Sequence, residues 1–299
     1  MQNSGEHAQE MLQQAFHRWF PTEESCVAYL FPLRWPHGFV CPFCSNRHPH
    51  LAPQRYLTCT VCGNRSSLTT GTIMHGVKRP LRDWLLAIWW FSGSQFDTSA
   101  KELQRLLGVS CYQTAWAWLQ KLRQVMGAVD TARCRGVVEI GGHAVTPARK
   151  RGEQALILAA TETVPNLGVV GRIRLRHVPW FTGKYLLTFL EDTVAERSCL
   201  LTSDEQLHRL LPAAAAWLVS PLQADVAPRT GRLCRSFEAY LHSVHRGGVT
   251  VRHLQLYLNE FCFRNNSGLL ADHPTMFRTL LAGIFHEQGG PGGQAVRWH

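Results

Sequence analysis

Nothing in this chain is apolar for long enough to cross a bilayer. The longest such run, Trp84 to Phe91, falls well short of the roughly 20 residues a hydrocarbon core requires. Met1 to Glu10 holds no apolar signal core, so the expectation is a soluble, intracellular protein in the cytoplasm. Ten cysteines in 299 residues are too few for a disulfide scaffold of this length. The sequence also has no Gly-x-Ser-x-Gly, no glycine-rich phosphate loop and no His-Glu-x-x-His, which removes the common hydrolase, nucleotidase and zinc-protease signatures. Acids are scarce as well: 21 Asp+Glu stand against 31 Lys+Arg, and no Asp occurs between Asp130 and Asp192. The net charge of +10 favours a polyanionic partner. With 45% hydrophobic and 17% charged residues the composition is globular, and the length allows two domains.

Four of the cysteines are paired in sequence. Cys41-Pro42-Phe43-Cys44 and Cys59-Thr60-Val61-Cys62 lie 14 residues apart, close to the spacing of a four-thiolate zinc site. Such a site leaves the metal no open position, so its expected role is to fold a small module. The other six cysteines lie singly among apolar residues and read as buried free thiols. His37, His48 and His50 flank the first pair; with four thiolates to hand they read as surface or phosphate-facing residues. Arg47, Arg55 and Arg65 on the same module are either contacts to a phosphate backbone or plain solvated cations.

Beyond a linker at Thr70–Gly76, Pro80 opens a helix, Leu81 to Phe91, that is apolar on nearly every side. Ser99 and Glu102 form a capping box before a short helix, and Gly108-Val109-Ser110 makes a turn. A longer helix, Tyr112 to Met126, then places Ala115, Trp118, Leu119, Leu122 and Met126 on one face. Its other face carries Gln113, Thr114, Gln120, Lys121 and Gln124, side chains able to reach base edges or phosphates. Two helices around a glycine turn read as a helix-turn-helix, with double-stranded DNA as the partner.

The stretch from Cys41 to Met126 closely resembles the N-terminal half of bacterial insertion-sequence transposases that carry a zinc ribbon ahead of a DDE domain. The resemblance continues more weakly through Val137–Ile140, His245–Leu254 and Tyr257–Asn265. It implies an α/β architecture: a small zinc ribbon and a helix-turn-helix region followed by a ribonuclease-H-like mixed-sheet domain. The expected organisation is an N-terminal helical segment (1–35), the ribbon (36–72), the DNA-binding helices (78–130), the sheet domain (136–286) and a flexible tail (287–299). Strands are expected at Val137–Ile140, Ala155–Ala160, Gly168–Arg176 and Cys199–Thr202, and helices at Gly183–Leu190, Glu205–Leu211, Phe237–His245 and His253–Phe263. Arg172, Arg174 and Arg176 share one strand face, which is either a DNA-facing stripe or a solvated one.

In the resembling family three acidic or equivalent residues bind two Mg²⁺ ions. Here the first position is Gly141. The second is Ser203, with Asp204 one place late, and around the third, Arg229 to Arg232, there is no acid, the nearest being Glu238. Glu139 shares the strand face of Gly141 but lies about 6.6 Å along it, farther than a Mg²⁺ shell of about 2.1 Å can absorb. The expectation is therefore a DNA-binding protein, dimeric or larger and nucleoid-associated when bound, with structural Zn and without strand-transfer chemistry. Two alternatives stay open: an active Mg²⁺-dependent transposase using displaced ligands (Glu139, Asp204, Glu238), and a protein-interaction scaffold.

Overall fold

A computed structural model describes residues 2–286, apart from 49, 77, 94–97, 148–151, 164–169, 212–216, 222–227, 246–247 and 269–271. The tail at 287–299 lies outside the described residues. The chain forms two compact units: residues 1–125 together with 272–299, and residues 126–271.

The first unit begins with α1 (Gln2–Trp19) and α2 (Glu23–Arg34), the latter opened by a reciprocal capping box between Thr22 and Ser25. Two short antiparallel pairs follow, β1 (Phe39–Val40) with β2 (Arg47–His48) and β3 (Tyr56–Thr58) with β4 (Arg65–Ser67). Then come α3 (Leu81–Gly93), α4 (Ala100–Leu107) and α5 (Tyr112–Val129), which runs on into the second unit. The capping box of α4 forms as expected: Ser99 Oγ accepts from Glu102 N at 3.2 Å and Ser99 N donates to Glu102 Oε2 at 3.4 Å. Gly108 ends that helix at φ +59, a left-handed conformation that glycine adopts without a Cβ penalty. Trp84 of α3 stacks on Trp118 of α5 with centroids 3.9 Å apart.

One element departs from the expected domain plan. The last helix, α10 (His273–His286), belongs to the first unit rather than to the sheet domain that precedes it in sequence. It packs on α2 and α3, where Phe277 meets Trp89 edge-on at 5.1 Å and His273 Nε2 lies 3.0 Å from the Trp89 carbonyl.

The second unit is a five-stranded mixed sheet packed with helices. Its strands are β5 (Val137–Val145), β6 (Ala155–Thr163), β7 (Val170–Val178), β8 (Cys199–Thr202) and β9 (Leu218–Pro221). They lie in the order β7-β6-β5-β8-β9, antiparallel among the first three and parallel from β5 to β9. Alternation sorts the two faces. Val138, Ile140, Leu158 and Ala160 pack with Leu186, Phe189 and Leu190 of α6 (Gly183–Thr193), together with Leu207 of α7 (Glu205–Leu210). Glu139 and Gly141 face the opposite way, toward the start of α8 (Arg229–Val244). A final helix, α9 (Leu254–Gly268), packs along β7.

The arginine ladder on β7 is engaged by acids. Asp130 accepts from Arg172 at 2.8 Å and from both Nη atoms of Arg174, while Arg176 pairs with Asp192 at 2.9 Å. Two acids distant in sequence, Asp130 and Asp192, thus pair with all three cations.

Candidate metal centre and nucleic-acid surfaces

The two cysteine knuckles are near copies of each other. In the first, Ser45 N donates to Cys41 O and Cys41 N to Asn46 O, each at 2.9 Å; in the second, Gly63 N donates to Cys59 O and Cys59 N to Asn64 O at the same distances. Both turns pass through a left-handed residue, Ser45 at φ +60 and Gly63 at φ +69. Each also sends an asparagine amide to its second cysteine, Asn46 to Cys44 Sγ at 3.3 Å and Asn64 to Cys62 Sγ at 3.4 Å.

These turns bring four sulfurs together. The Cys41 and Cys62 sulfurs are 3.7 Å apart, those of Cys44 and Cys59 are 3.6 Å apart, and all four lie within 4.8 Å of one another. A tetrahedron with Zn–S bonds of about 2.3 Å has edges of about 3.8 Å, so the donor set fits zinc in chemistry and spacing. Among the described residues no other group of three or more Cys, His, Asp or Glu side chains is so placed. N–H donors bias the outer thiols toward thiolate. Asn46 brings Cys44 down to about 6, and the Asn64 backbone lowers Cys62, whereas burial pushes Cys41 up to about 11. His37 and His50 are exposed, but His48 turns inward, with Nε2 3.3 Å from Cys59 Sγ and its ring stacked on Phe39. A ring N–H on a ligating sulfur orients the ligand, a role the cysteine spacing does not reveal.

The helix before the ribbon is tied to it. Glu23 of α2 accepts from Arg55 Nη1 at 2.9 Å, from Leu81 N at 2.8 Å and from Arg82 N at 3.0 Å. One carboxylate thereby ties α2 to the second hairpin and caps the first turn of α3. Arg34 binds the Leu68 and Thr70 carbonyls from the same helix. Arg55, expected as a DNA contact, is thus half-committed to Glu23. Arg65 remains exposed, with its guanidinium 4.6 Å from the centre of the Tyr56 ring.

On α5 the expected polar face survives only in part. Gln113 and Gln124 are exposed and Thr114 is half-exposed. Gln120 is buried at 8% exposure, and Lys121 donates to Ile73 O at 2.9 Å with its ammonium over Trp84. Gln120 and Lys121 are therefore not on a free recognition face. The middle of α5 is packed around most of its circumference, and a 3.6-residue period cannot show which stretch of a polar stripe is covered. The N-terminus of α5 stays open: N–H groups of Thr114 and Gln113 hold the exposed Cys111 thiol below its ordinary value. The same N–H groups favour an anion there.

In the sheet unit the three candidate acids have three separate partners. Glu139 is 2% exposed, and its Oε1 accepts from both Thr230 N and Thr230 Oγ1 at 2.9 Å. Asp204 caps α7, its Oδ1 accepting from Gln206 N at 2.9 Å and Leu207 N at 3.1 Å. Glu238 Oε1 accepts from Thr146 N at 2.6 Å. The Gly141 position is crowded: a Cβ placed there would lie 2.6 Å from Thr230 Oγ1 and 2.7 Å from His143 Nε2. That nitrogen is buried without a hydrogen-bond partner among the described residues. Burial lowers the His143 pKa against the pull of Asp204 and Glu139, with Arg235 adding to the lowering. His143 reads in the sequence as a loop residue beside Gly142 but lies within β5, while Thr230 matters through its contact with Glu139 across the fold. If Asp204 serves as a helix cap, Asp204→Ala should cost about 1 kcal/mol in urea unfolding of the sheet unit.

Residues 21–65 match the family described as the transposase zinc-ribbon domain, a range that takes in α2 as well as both knuckles. No curated protein matches the chain. The chain is thus transposase-related through a zinc-ribbon domain, followed by a mixed-sheet unit.

Proposed function

We propose that this protein is a transposase-derived DNA-binding protein whose ribonuclease-H-like unit does not perform strand transfer. It engages double-stranded DNA as a dimer or larger assembly, through the ribbon and the exposed start of α5. The observation that carries the reading is the rebuilt centre of the sheet. Two-metal phosphoryl transfer needs carboxylates converging on two ions about 3.5 to 4 Å apart. Here Glu139 binds Thr230, Asp204 caps a helix, Glu238 holds Thr146, and His143 with Thr230 crowds the Gly141 position. Support for DNA as the partner comes from the ribbon match, the charge of +10, and the placement of Gln113, Thr114, Gln124 and Arg65 at accessible positions.

Two measurements test this. Retention of duplex DNA should weaken steeply with salt, because each phosphate contact releases counterions; flat salt dependence removes the DNA-binding reading and favours the scaffold. A Mg²⁺-dependent nicking assay on the same DNA should give no cleavage. Nicking that disappears in Asp204→Ala would establish the active enzyme instead.

A further inference from the structure

The β3–β4 hairpin has two unlike faces. Tyr56 pairs with Ser67 and Thr58 with Arg65, so these four point outward together, while Leu57 and Ser66 point inward and are buried. Against this hairpin lies an open cleft of about 550 Å³, lined also by His75 and Lys78 from the segment before α3. Its walls hold Arg55, Arg65, Lys78 and His75, and no acidic side chain among the described residues lines it. Arg55 is half-neutralised by Glu23. Arg65 and Lys78 have no carboxylate partner among the described residues, and both are exposed. Arg65 is held in place by the Tyr56 ring rather than left to sweep through solvent. On the floor Ser67 Oγ lies 2.9 Å from Thr69 Oγ1 and 3.2 Å from Thr70 Oγ1, a cluster of hydroxyls that can donate or accept.

Accessible cations without carboxylate partners, and hydroxyl donors beside them, are what a phosphate group requires. We propose that this cleft binds a backbone phosphate of nucleic acid, with Arg65 and Lys78 as its principal ligands and the Ser67–Thr70 hydroxyls as secondary donors. The assignment rests on the DNA-binding reading and adds to it a defined phosphate seat outside the helix-turn-helix. Contacts of this kind position the protein without reading bases, so their loss should be felt alike on every sequence.

The test is the full-length Arg65→Gln/Lys78→Gln double variant, with zinc content and melting curve checked against the parent. Inorganic phosphate is the first probe: the parent should broaden its ³¹P resonance and the variant should not. Random-sequence duplex DNA is the second. Removing two contacts at about 0.9 each should reduce the slope of log K against log salt by about 1.8. An unchanged slope in the variant, with the parent binding DNA steeply, overturns the cleft and leaves the DNA reading standing. A parent that broadens phosphate through these residues yet retains no DNA overturns both the DNA reading and the nucleic-acid source, leaving a free-phosphate site.

Discussion

Cys59→Ser, or treatment with a strong chelator, should empty the ribbon of zinc and unfold residues 39–67 while the sheet unit keeps its own melting transition. The strands of this module are only two or three residues long, and an isolated two-stranded hairpin is marginal in water. The ties from Glu23 and Arg34 of α2 are few, so most of its stability is expected from the metal; structural zinc contributes on the order of 10 kcal/mol or more to the folding of comparable peptides. Losing one of four thiolates breaks the tetrahedron and also removes the sulfur that His48 contacts. Metal analysis should fall from about one zinc per chain to near zero. Amide exchange across 39–67 should rise to rates typical of unfolded chain. Protection that persists without metal would refute a zinc-dependent fold for this segment.

The second large effect concerns Gly141→Asp, the change that would put a carboxylate back at the first position of the resembling family. It should fail to restore Mg²⁺-dependent cleavage, and it should destabilise the sheet unit by about 3 kcal/mol, a melting temperature lower by roughly 10 °C. The new Cβ would meet Thr230 Oγ1 and His143 Nε2 inside contact distance, and its charge would lie buried on the same strand face as Glu139. Adding His143→Ala should recover a measurable part of the loss, since it removes one of the two clashing groups. A single variant as stable as the parent would show that this region has room to spare.

Much of the chemistry was legible in the sequence where partners are close along the chain. The cysteine knuckles, the Ser99–Glu102 box and β8 at Cys199–Thr202 all depend on residues within a few positions of each other. Other features were hidden. Gly141-Gly142 reads as the end of a strand, yet β5 runs on to Val145 because both glycines lie in the sheet interior, opposite Ala159 and Leu158. The start of α8 at Arg229 is masked by Gly231 in its first turn and by the lack of a side-chain cap, so the helix was expected only from Phe237. Glu23 and Thr230 act on residues that lie up to about ninety positions away, where periodicity carries no information. The paired arginines of β7 belong with these, since Asp130 is more than forty residues from Arg172.

The return of α10 to the first unit also fixes an order of events during synthesis. Trp89 is made early, but the Phe277 and His273 that cover it are among the last described residues to leave the ribosome. The whole sheet unit emerges between them. The helical layer of the first unit thus stays open for the time needed to translate nearly two hundred residues, about ten seconds or more at ordinary elongation rates. A nascent chain can complete its zinc knuckles long before it can close the apolar surface around α3, so metal loading and closure of that surface are separated in time by the path of the chain.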